Sequence, residues 1–118
     1  MTLKSTNSSF PTQDQIVTQD VVNATVTDDV LLGGGKLYTL VLKNNDSSAA
    51  YFRAADSAAV VVGTTTADIF ITVPASTTKT WVIVDGLSFT NLSFWGTGGL
   101  ADGTTSDATD LDAFLVLR

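Results

Sequence analysis

The sequence predicts an all-β domain, a single antiparallel β-sandwich. Three observations carry this. Short β-branched and aromatic runs recur about every ten residues with Gly, Asn, Asp or Pro clusters between them. No segment shows the 3.6-residue period of an amphipathic helix. All twelve acidic residues are Asp, a residue that favours turns, and Glu, which favours helices, is absent.

The first fourteen residues are polar and aperiodic, with Phe10-Pro11 as an anchor point, and read as an extended, flexible N-terminal arm (1–14) preceding the sandwich (15–118). Gln15 to Ala24 carries Ile16, Val17, Val21 and Val22 and fits a strand with an irregularity near Thr18-Gln19-Asp20. From Asp29 to Lys43, two apolar runs flank Gly33-Gly34-Gly35, the composition of a hairpin or a sheet-switching bend. In the second run Tyr38, Leu40 and Leu42 alternate with Thr39, Val41 and Lys43, so the first three are expected on the buried face.

Asn44 to Ser48 is a turn cluster, and Ala49 to Ala55 a short strand with Arg53 pointing outward. Ala67 to Val73 reads as a strand stopped by Pro74. Lys79 to Val84 follows, with Trp81 and Ile83 on one face and Asp85-Gly86 as the closing turn before Leu87-Ser88-Phe89. Thr90 to Trp95 alternates at Leu92 and Phe94, and Gly96 to Asp110 is a long small-polar loop. The last strand, Leu111 to Arg118, puts Leu111, Ala113, Leu115 and Leu117 on one face. About seven or eight strands in this pattern suit a jelly-roll or an immunoglobulin-like sandwich, and periodicity does not choose between them.

Composition restricts function. With 44% hydrophobic residues the chain folds, and at 118 residues one core suffices. No apolar run approaches the roughly 18 residues of a membrane helix, and no leader-like h-region follows Met1, so neither a membrane nor export is expected. The net charge of −6, with Lys4, Lys36, Lys43, Arg53, Lys79 and Arg118 scattered singly, opposes nucleic-acid binding. Without His or Cys, the usual general base, the Ser-His and Cys-His pairs and the thiolate and imidazole metal ligands are missing, so a non-enzyme without cofactor is expected.

Gly33-Gly34-Gly35-Lys36 fails the phosphate-loop pattern, because Val30 and Leu37 hold the places of its Gly and Ser/Thr. Asp102, Asp107, Asp110 and Asp112 offer oxygen ligands for Ca²⁺ but lack EF-hand spacing, and exposed turns use the same residue. Trp95, beside glycines, is the candidate for an exposed aromatic, with core packing as its other reading. Phe10, Pro11, Arg53 and Trp95 are therefore the candidate partner-binding residues.

The order Lys36 to Asn44, Ala50-Tyr51-Phe52-Arg53, Val62 to Asp68, Val73 to Thr78, Asp85 to Phe89 and the Gly/Thr loop from Gly96 to Thr105 resembles small virion proteins of tailed bacteriophages over residues 36–118. That resemblance implies a capsid decoration or cement protein, made in the host cytoplasm and placed on the capsid exterior. Its implied partner is the major capsid protein, bound through the arm and one face of the sandwich. Symmetric shells favour a homotrimer held by edge-strand or arm exchange. A neck, tail or fibre component and a carbohydrate-binding module are the alternatives.

Overall fold

Four leucine and alanine positions set two apart, Leu111, Ala113, Leu115 and Leu117, are all buried, while Asp112, Phe114 and Val116 between them are half-buried on the opposite side. The same alternation organises the rest of the chain. The structure, a computed structural model, describes residues 2–6, 15–27, 34–101, 103–108 and 110–118. They form β1 (Thr2–Thr6), β2 (Gln15–Asp20), β3 (Gly35–Asn44), β4 (Ala50–Asp56), β5 (Ile69–Val73), β6 (Thr78–Phe89), β7 (Leu92–Thr97) and β8 (Leu111–Leu117), with no helix among the described residues. The all-β sandwich is as predicted. A five-stranded sheet in the order β1-β2-β8-β3-β6 packs on a three-stranded sheet in the order β5-β4-β7, and every pairing is antiparallel.

The core lies between the sheets. One inward row of the larger sheet runs Val17, Leu115, Leu40, Trp81 across four paired strands. From the smaller sheet Phe52 and Phe94 meet it with ring centroids 5.7 Å apart and planes tilted by 31°, a geometry worth about 0.5–1.5 kcal/mol beyond the area it buries.

Three local expectations are corrected. Leu37, and not Tyr38, shares the buried face with Leu40 and Leu42, because a bulge between Leu37 and Thr39 inserts Tyr38 and flips the alternation. Asp85-Gly86 does not end a strand: β6 runs on to Phe89, and the four residues Ile83 to Gly86 bulge out of the β3 register, with Gly86 at φ +73° absorbing the bend. The irregularity expected near Thr18 to Asp20 comes one residue later, since β2 pairs regularly with β8 through Gln19.

Part of the expected free arm is a strand. Thr2–Thr6 pairs with β2 from Thr2 opposite Asp20 to Thr6 opposite Ile16 and forms one edge of the larger sheet. Phe10 and Pro11 lie outside the described residues, as do Asp102 and the start of the glycine bend.

Asn44, buried at the end of β3, fastens two turns at once. Its Nδ2 donates to the carbonyls of Ser48 (2.8 Å), Val73 (3.1 Å) and Pro74 (3.2 Å), and its Oδ1 accepts from the Asp46 amide (3.0 Å). The β3–β4 and β5–β6 connections are thereby tied to one side chain.

Val21 sits at φ +60°, a left-handed conformation that a β-branched residue adopts only under strain. Its amide donates to Asp112 Oδ1 at 3.1 Å, which holds the chain there as it leaves β2. Val21→Gly keeps that bond and removes the strain. It should stabilise the protein by about 1 kcal/mol, raising Tm by roughly 5 °C in a thermal melt; an unchanged or lower Tm would show that no strain is stored there.

Candidate interaction face

The larger sheet has one face on the core and one outside. On the outer side the register aligns Ile16, Val116, Thr39 and Val82 in one row, and Thr18, Phe114, Val41 and Thr80 in the next. Antiparallel sheets with one solvated side normally carry polar residues there. These eight positions hold five apolar residues, three threonines and no charge. The β-branched side chains favour the strands that carry them and at the same time cover the face with methyl groups.

Charge enters at the β1 end of the second row, where the register sets Lys4 opposite Thr18, and at the two ends of the strands. Lys43 pairs with Asp112 and Thr78 at one end, and Lys36 and Arg118 lie at the other, where the guanidinium stands 5.3 Å from the Tyr38 ring centroid. Exposure is greatest at β6: Ile16 is 38% exposed, Val116 and Thr39 are half-buried, and Val82 and Val84 are 71% and 86% exposed. Since β6 is paired only with β3, its other edge is unpaired among the described residues. β1, the strand drawn from the expected arm, borders the opposite side of the same sheet. The strand drawn from the arm is therefore contiguous with this face.

Arg53 and Trp95 do not belong to any exposed face. Arg53 does project from the smaller sheet away from Phe52 and Ala54, as its place in β4 predicts, yet it is 2% exposed. The loop after β7 folds over it: Nη2 donates to the carbonyls of Gly99 (3.1 Å), Leu100 (2.9 Å) and Ala101 (3.0 Å), Nε to Thr97 Oγ1 (3.1 Å), and the guanidinium lies 4.6 Å from the Phe70 ring centroid. Trp95, opposite Arg53 in the β4–β7 register, is 1% exposed. Of the two readings of Trp95, structural packing holds and the surface role does not, which removes the stacking platform on which a sugar-binding reading depended.

The acidic residues near the C-terminus act as anchors. Asp107 Oδ1 accepts from the Ala24 amide at 2.8 Å, while Asp112 Oδ1 accepts from Val21 and its Oδ2 from Asn45 Nδ2 at 3.0 Å. Among the described residues no three acidic side chains converge into a group that would hold a metal ion.

An apolar cleft of about 350 Å³ opens between the sheets on the β5–β6 side, lined by Leu37, Ala54, Ile69, Leu87 and Phe89 with Asp56 and Asp68 at its rim. Both carboxylates fasten backbone: Asp56 Oδ1 accepts from the amides of Thr90 (2.9 Å) and Asn91 (2.7 Å), and Asp68 Oδ2 from the Asp56 amide (2.9 Å). They tie β4 to the neighbouring turns. Sequence reasoning missed the outer face because each of its strands alone reads as half-buried, and only the register stacks the residues into rows.

No protein-family model, no curated protein and no solved structure matches the chain.

Proposed function

We propose that the chain is a non-enzymatic structural protein of a tailed-phage virion, which binds the outside of the capsid shell and stabilises it, and that the outer face of the larger sheet is its contact surface. The observation that carries this is the uncharged, β-branched face on a protein of net charge −6. A contiguous apolar area left to solvent marks a contact surface, since monomeric proteins seldom leave one without use. The order of segments over residues 36–118 supplies the virion setting.

Shell attachment predicts many copies. Quantitative mass spectrometry of purified virions should find the protein at a copy number comparable to the major capsid protein; a handful of copies per particle would move it to the neck, tail or fibres, and absence would end the virion reading. The face itself is tested at Ile16, three strands away from β6. Ile16→Asp places a charge in the apolar row and should weaken shell binding by about tenfold or more, with the melting curve little changed. Unaltered binding would place the contact elsewhere.

A further inference from the structure

We infer that two copies of this chain pair through their β6 edges about a twofold axis at Val82, joining their larger sheets into one. β6 is twelve residues long, lies at the end of its sheet and carries Val82 and Val84 largely exposed. A long apolar edge of this kind is a template for another strand.

The sequence of β6 selects both the occupant and the register. Residues opposite each other in an antiparallel pair must point to the same face, so a strand pairs with its own copy only with the axis through a residue. The strand holds one cation, Lys79, and one anion, Asp85. Only the axis at Val82 sets these two opposite each other. The same register places Trp81 opposite Ile83 of the other copy, an aromatic with a β-branched residue, and Thr80 opposite Val84; aromatic, β-branched and opposite-charge pairs are those that stabilise sheets. Thr78 to Asp85 lies within β6 and has no residue at positive φ, so the segment is extended as pairing requires.

Charges and bulges on an edge strand ordinarily prevent pairing. Here Lys79, whose Nζ donates to the Thr72 carbonyl of its own molecule at 3.0 Å, would gain a carboxylate across the interface. The four residues Ile83 to Gly86 that bulge away from β3 have no register partner there, and three of them lie in the segment the second copy would cover. The row Ile16, Val116, Thr39, Val82 would then continue into the same row of the other molecule, doubling the uncharged face. The interface is isologous and closes at two copies, in place of the trimer expected from shell symmetry. It holds whether or not the face binds a shell.

The chain contains no cysteine, so one introduced thiol reports the register. Val82→Cys brings two thiols together on the axis, within the Cα separation a disulfide needs, and should cross-link to a dimer under mild oxidation. In Val84→Cys the two thiols stand about 13 Å apart along the strands and should not. Light scattering of the unmodified protein should give a dimer that dissociates on dilution. Lys79→Asp and Asp85→Lys should each raise the dissociation constant by about tenfold, and the double exchange should restore it. A monomer at every concentration, a trimer, equal cross-linking of both cysteine variants, or a double exchange no better than the singles would each overturn the proposal.

Discussion

Replacing Arg53 by Ala should lower stability by about 3–5 kcal/mol, enough to reduce Tm by roughly 15 °C or more. The guanidinium is 2% exposed and donates to three consecutive carbonyls, Gly99, Leu100 and Ala101, while Nε holds Thr97. Without it those carbonyls face a void, and the loop that covers the outer side of the smaller sheet loses its fastening. Two further readouts separate this from a general loss of packing. Limited proteolysis should cut first within residues 98–108, and the fluorescence of Trp95, its cross-strand neighbour, should shift to the red. Arg53→Lys should recover part of the loss, because an ammonium reaches fewer of these acceptors than a guanidinium fork. A Tm within about 3 °C of the parent for Arg53→Ala would show that the loop is held by other contacts.

A second large loss is expected from an almost isosteric change, Asn44→Asp. The amide nitrogen of Asn44 faces the carbonyls of Ser48, Val73 and Pro74. A carboxylate there would direct negative charge at three acceptors in a buried site, costing about 3–5 kcal/mol at neutral pH. The pH dependence has a definite sign. Surrounding carbonyls favour the protonated form, so the folded pKa of the new group lies above the unfolded value of about 3.9. Below that unfolded value both states are protonated and the ionic penalty is absent. It grows as pH rises through the folded pKa, where the native state holds the extra proton, and is complete above it. Melts of the variant and parent should therefore converge toward acid and separate toward neutrality. A constant gap would mean that the loss is not electrostatic.

Strand positions were largely legible, because burial of one face leaves a period of two. The stop at Pro74 and the inward set of β8 are where the sequence places them. What escaped were features that depend on a residue's distant neighbours. Tyr38 was expected on the core face because alternation assumes an unbroken ladder, and a bulge shifts the count by one. Asp85-Gly86 has the composition of a turn, but the strand is carried past it by renewed pairing of Leu87, Ser88 and Phe89 with β3. Arg53 was placed on the correct side of its strand, yet nothing near it in sequence tells that a loop some 46 residues onward closes over it. The candidate face was illegible for the same reason. Val82, Thr39, Val116 and Ile16 become neighbours only once the order β2-β8-β3-β6 is known.

That order also constrains how the molecule is assembled in time. β2 and β3 are close in sequence but touch only through β8, which is inserted between them. Among the described residues before Leu111 no strand fills this place, so β8 is what completes the larger sheet. Closing the sheet requires bringing residues 15–20, 35–44 and 111–117 together, and the entropy of those long loops is lost before the pairings repay it. From this topology folding in the millisecond-to-second range of β-sandwiches is expected. Until β8 docks, two apolar strand edges stay open, and a nascent chain passes through that exposed stage whenever it is made.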